Sequence, residues 1–227
     1  MKFVHFIPQN NGYIIPKPVL SKSLIPKWYR DAELDTPDGT GGLKRCIPFL
    51  DGMMMGFMLV TPCDIHVKIR EDGLVDIDWE ADIEAPPIME RPATSGHTLP
   101  RPAGHALNHL VWTPTWGFKA PKGYSILVTH PLNRFDLPFT TMSAVVDSDK
   151  YVGAGNIPFF IKTGFEGVIP KGTPIMQLVP IKRNPWMAVF DPALKTLAYE
   201  QGHTVRSEEH GVYKKKFWQK KRYEMED

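Results

Sequence analysis

Apolar and polar residues alternate most regularly between residues 124 and 180. Tyr124, Ile126 and Val128 share one face of a run that follows the turn Pro121-Lys-Gly123. After a second such turn, Pro170-Lys-Gly172, Ile175, Gln177 and Val179 alternate with Met176 and Leu178 in the period of a strand entering a core. Each Pro-Lys-Gly triplet predicts a tight turn that launches a strand. Val145-Val-Asp-Ser-Asp-Lys-Tyr151 and Ile169-Pro-Lys-Gly-Thr-Pro-Ile-Met-Gln-Leu-Val-Pro180 each read as strand, turn, strand. Upstream, strands are predicted over 56–60 and 65–69, and Glu71-Asp-Gly73 is a hairpin turn. It leads into an alternation that puts Val75, Ile77 and Trp79 on one side and Asp76, Asp78 and Glu80 on the other. Those carboxylates read as a solvated strand face, because a cation site needs converging ligands from a second element. Residues 139–146 and 157–162 complete the predicted strands.

Twenty-two prolines limit the rest of the chain to short segments and turns. Ile-Pro recurs at 7–8, 15–16, 25–26 and 47–48, and the residue before proline is driven to extended geometry, so residues 1–48 predict a proline-rich arm with one helical turn opening at Pro26. Residues 84–106 form a second proline-rich excursion. Long helices are not expected before residue 190. A short helix is predicted over 192–199 and a longer one over 207–224. In the longer one Ser207 would cap, Glu208 and Glu209 fill the first turn, basic residues fill the later turns, and Val212, Tyr213, Phe217 and Trp218 form the apolar stripe. The expected organisation is one mainly β domain over 1–227, with a β core over 49–186 and a helical segment over 187–227.

Composition narrows the function classes. The chain of 227 residues is 42% hydrophobic, and its longest apolar stretch, 53–60, is too short to span a bilayer. The start Met1-Lys-Phe-Val-His lacks the pattern of a secretory leader, so the expectation is a cytoplasmic or virion-associated protein. A net charge of +2 makes nucleic acid an improbable partner, although Lys214, Lys215, Lys216, Lys220, Lys221 and Arg222 gather six of the 27 basic residues at the end. Cys46 and Cys63 read as reduced thiols. His97, His105 and His109 match no metal-ligand spacing, and no metal is expected. An iron oxygenase would need an acid two residues after a histidine, and His130 has Leu132 there.

Val145-Val-Asp-Ser-Asp-Lys-Tyr151, the Ile169–Val179 segment and the upstream Pro121-Lys-Gly-Tyr124 together resemble the dUTPase and dCTP deaminase superfamily, over about residues 118–183. The resemblance implies a β-clip fold, commonly trimeric, with sites built from more than one subunit. It would make Asp147 the carboxylate that activates water, stack Tyr151 on deoxyribose, and place Gln177, Asn133 and Arg134 near phosphates, with Mg²⁺ as cofactor. The whole chain also looks like an uncharacterised family found in phages and bacteria. Lys150 intervenes between Asp149 and Tyr151, His130-Pro-Leu-Asn-Arg134 lacks the serine of the superfamily's phosphate-binding segment, the glycine-rich closing arm is replaced by a basic aromatic end, and no deaminase glutamate is recognisable. A triphosphate needs several donors or a metal to offset its charge. The function expected is therefore a non-enzymatic, homo-oligomeric β-clip assembly or binding protein, a phage component without cofactor, that meets protein partners through its arms and C-terminal helix. The alternative is a divergent deoxynucleoside triphosphate hydrolase with Asp147 as general base.

Overall fold

The computed structural model describes residues 2–9, 15–79, 83, 85–91, 100–207 and 211–226. Its elements in chain order are β1 (His5–Pro8), β2 (Val19–Leu20), α1 (Lys27–Asp31), α2 (Ile47–Met54), β3 (Phe57–Val60), β4 (Ile65–Ile69), β5 (Val75–Asp78), β6 (Ile88–Glu90) and β7 (Leu110–Trp112). They continue with β8 (Trp116–Lys119), β9 (Tyr124–Thr129), β10 (Phe139–Thr141), β11 (Ala144–Val146), β12 (Ile157–Ile161), β13 (Gly167–Ile169), β14 (Pro174–Lys182), α3 (Lys195–Ser207) and α4 (Val212–Lys216). The chain is mainly β, and its strands pair antiparallel.

A five-stranded sheet in the order β11-β9-β14-β3-β2 forms the frame. β14 lies in its middle, paired with β9 from Gln177 to Lys182 and with β3 from Pro174 to Leu178. Residues 174–179 are all buried, so this strand is covered on both faces where the alternation alone suggested one. A four-stranded sheet, β10-β12-β7-β6, and a three-stranded sheet, β13-β4-β5, contribute to the same buried cluster, and β1 pairs with β8. Trp112 stacks on Phe159 with ring centroids 3.8 Å apart and meets Phe139 edge-on. Its indole N–H donates to Thr141 Oγ1 (3.0 Å), and that hydroxyl donates to the Ile175 carbonyl (2.6 Å), which ties the four-stranded sheet to β14.

Both Pro-Lys-Gly turns form where the sequence predicts them. Gly123 and Gly172 take φ of 82° and 84°, and Tyr124 N–H and Thr173 N–H close the turns on Pro121 and Pro170 carbonyls. Buried Thr61 holds the second turn: its hydroxyl donates to Pro170 O (2.7 Å) and accepts from Thr173 N–H (3.0 Å).

Several elements differ from the sequence pattern: β1 and β2 stand as strands within the stretch expected as a proline-rich arm, β2 at the edge of the central sheet, and β7 and β8 form where no strand was expected. Residues 139–146 divide into β10 and β11, which leave each other to pair with β12 and β9 in separate sheets. α2 was not legible as a helix because Ile47-Pro48 reads as an extended pair, whereas Pro48 stands in the first helical turn, the one place in a helix where proline's missing N–H costs nothing. The helix expected over 207–224 is displaced. Asp191 accepts from Ala193 N–H and opens a turn at Pro192–Leu194 that runs into α3. Gly211, at φ 95°, precedes the short α4, and beyond it the chain leaves helical geometry because Trp218 and Lys221 reach Asp51 and Tyr223 packs edge-on against Phe57. Tertiary contacts thus override helix propensity there. Of the 84–106 excursion, Ile88–Glu90 is sheet, while 92–99, including His97, lie outside the described residues. Among the described residues, no helix is long and apolar enough to cross a membrane.

Candidate functional site

Asp147 opens the turn that follows β11, with Lys150 and Tyr151 N–H groups donating back to its carbonyl. Its side chain is exposed, and Oδ1 accepts from Ser125 Oγ (2.6 Å) and from Arg183 Nη1 (3.2 Å). Asp149, in the same turn, points inward: its side chain is 3% exposed and Oδ2 accepts from Gly123 N–H (2.8 Å) and from Arg183 Nη2. Arg183 also donates to Tyr124 O and Ser125 Oγ, each at 3.0 Å, and its backbone N–H donates to Gly123 O. One guanidinium therefore joins the end of β14, the first Pro-Lys-Gly turn and the Asp147–Asp149 turn. Sequence spacing gave no signal for Arg183 or for the structural part of Asp149, because the partners lie far apart along the chain.

Arg183 and, after it, the Gly123 N–H hold the Asp149 carboxyl at about 2, below its ordinary 3.8. A folded-state value lowered in this way contributes stability that is complete above the unfolded value and is lost as pH falls from about 4 towards 2. Asp149→Asn is expected to flatten the fall of unfolding free energy over that window. Urea denaturation at a series of pH values measures it, and equal slopes for the two proteins would remove this role.

The other predicted site residues stand elsewhere. Gln177 is fully buried; its Oε1 accepts from Leu132 N–H (2.9 Å), and its Nε2 donates to Gly52 O (2.9 Å) and Met55 O (2.6 Å). Asn133, at φ 62°, donates to Phe49 O (3.2 Å). Arg134 is buried, forks onto Asp136 (2.9 Å) and donates to Leu24 O (3.2 Å). These three side chains fasten α2 and the N-terminal region to the sheet, and their donors face protein carbonyls and a carboxylate. Tyr151 is exposed and leans on Gly153, where a Cβ would lie 2.8 Å from the ring. It lines a pocket of about 520 Å³ with Gln9, Thr113 and Asn156, a pocket whose lining does not include Asp147. The five residues are thus not gathered into one site within the chain.

His130 and His105 are engaged by internal hydrogen bonds. His130 accepts from Thr141 N–H at Nδ1 (3.2 Å), so its Nε2–H donates to Arg134 O (3.0 Å), and burial pushes the imidazole pKa down. His105 lies between Ala103 O and Thr140 Oγ1, and His109 tilts against Phe160. Among the described residues, no group of three or more His, Cys, Asp or Glu is placed to hold a metal ion.

The most unusual surface lies after β14. Every residue from 182 to 201 is exposed. Within it Trp186 and Met187 are each 87% exposed, Val189 75% and Phe190 99%. The C-terminal aromatic residues behave differently. Trp218 donates from Nε1 to Asp51 (2.8 Å), Lys221 pairs with the same carboxylate (2.7 Å), and Tyr223 sits 6.0 Å from Phe57. Trp186 and Phe190, on an exposed arm over 184–190, are the most exposed aromatic side chains among the described residues, followed by Phe135, and the sequence pattern did not single them out. In the sequence the arm stands only as a run of apolar residues between Pro185 and Pro192. Comparison with protein-family models gives no match, and comparison with curated proteins gives none either.

Proposed function

We propose that this chain is a non-enzymatic β-clip protein of the assembly or binding kind, which forms a homo-oligomer through its arms. The observation that carries this reading is the exposure of Trp186, Met187, Val189 and Phe190 on one extended segment. Four side chains of this size present on the order of 600 Å² of apolar surface, as much as the largest patch a monomer ordinarily leaves to water. A standard protein interface buries about 800 Å² per partner, which the arm supplies once a few flanking residues are added. The internal engagement of Gln177, Asn133 and Arg134 also supports it, since it removes the donors a triphosphate would need.

The test is the mass of the protein in solution. Wild type is expected to sediment as more than one chain, and Trp186→Asp/Phe190→Asp as a single chain with an unchanged unfolding transition, because exposed substitutions rarely move stability by more than about 0.5 kcal/mol. A wild type that stays monomeric at its highest soluble concentration would overturn the reading. The alternative hydrolase is tested in the same preparations. Pyrophosphate release from a deoxynucleoside triphosphate with Mg²⁺, abolished by Asp147→Asn in a folded protein, would replace the assembly reading with a catalytic one.

A further inference from the structure

We propose that the arm at 184–190 docks in the apolar groove between the N-terminal strand and the C-terminal tail of a second copy of this chain. The inference rests on the assembly reading and names the acceptor within it. The groove encloses about 780 Å³ and is walled by Phe3, Phe6, Phe57, Tyr124, Tyr223 and Met225. Phe6 and Tyr223 both meet Phe57 edge-on, at 5.4 and 6.0 Å between centroids, so the floor is a fixed aromatic surface. Volumes of this size accept bulky apolar groups, and an indole with a phenyl ring falls within the range. Its rim carries both signs of charge, Lys2 and Arg222 against Glu224 and Glu226. Just beyond the arm, Asp191 and Lys195 carry one charge of each sign.

The place where the arm leaves the fold favours a second copy. Lys182, the last residue of β14, is paired with Tyr124, and Pro180 lines the groove, so the arm is rooted at the groove's mouth. Arg183 fixes its direction of departure through Gly123, Tyr124, Asp147 and Asp149, and Pro185 keeps Asn184 extended. The arm is exposed along its length, and none of its residues lines its own groove. Trp186, four residues beyond Lys182, reaches about 13 Å from the root when extended. Root and acceptor on the same face let two copies exchange arms about a shared axis, or repeat the contact head to tail in a ring.

Mixing two full-length variants tests this. Trp186→Asp/Phe190→Asp destroys the arm and keeps the groove, whereas Phe3→Asp/Met225→Asp charges the groove and keeps the arm. Each alone is expected to fall to the mass of one chain in sedimentation, and an equimolar mixture to recover association through the one intact arm and the one intact groove. If the groove variant does not fold, Phe3→Asp alone, at an exposed ring, takes its place. A groove variant that remains oligomeric beside a monomeric arm variant overturns this acceptor and leaves the assembly reading standing. Two folded monomeric variants that stay monomeric when mixed overturn it as well. A monomeric wild type overturns both.

Discussion

Gly56→Ala is expected to yield little or no folded protein. Gly56 holds φ at 69° in the step from α2 to β3, and a Cβ built there would lie 2.1 Å from the Leu178 carbonyl oxygen on β14. Two costs combine. A residue with a side chain in left-handed geometry costs about 1–3 kcal/mol, and relieving the contact requires β3 and β14 to separate along the paired stretch that ends at Phe57 and Leu178. The Gly56 carbonyl also accepts from Ser21 N–H (3.1 Å), so any shift of the backbone disturbs the join to β2. A total above about 4 kcal/mol would remove much of the 5–15 kcal/mol that holds a domain folded. Soluble yield and guanidinium unfolding measure it, and a variant within about 1 kcal/mol of wild type would show that the two strands yield more easily than their packing implies.

Gln177→Leu is expected to cost about 2–4 kcal/mol, since it leaves one N–H and two carbonyls in a half-buried setting without these partners, at roughly 1–3 kcal/mol for each that water does not reach. The carbonyls belong to Gly52 and Met55, at the C-terminal end of α2, where a helix leaves its last acceptors unsatisfied. The Gln177 amide supplies those donors from the middle of the central strand, while its oxygen holds the Leu132 N–H. This explains a polar side chain at 0% exposure between Met176 and Leu178. Urea unfolding of the variant decides the role. A stability equal to wild type would free the amide for a ligand, as the family resemblance expected.

These two residues also show what was legible in the sequence. The turns at 121–123 and 170–172 and the strands they launch were readable because proline, glycine and alternation act within a few residues. The Gln-Leu of the second strand was readable as part of a motif, but not as a cap for a helix more than a hundred residues earlier. The same limit applies to Arg183, whose partners lie 34 and 36 residues away, and to the C-terminal tail, where Asp51 draws Trp218 across 167 residues and prevents the helix that local propensity favours. The exposed arm escaped notice for the opposite reason: Trp186 to Phe190 has the composition of a core segment, and only the fold reveals that no part of the core covers it.

The central place of β14 governs how the chain is made. β3 and β9 flank it but do not pair with each other, so both wait with an open edge until residues 174–182 have been synthesised. At ordinary translation speeds of about 5–20 residues per second, that interval lasts on the order of ten seconds for β3. Once β9 has also been made, the ribosome carries two apolar strands that each lack their β14 neighbour, the condition under which nascent chains associate wrongly. The strand that completes the sheet also leads directly into the arm. Trp186 and Phe190 therefore emerge from the ribosome just after the last open edges of the central sheet can close.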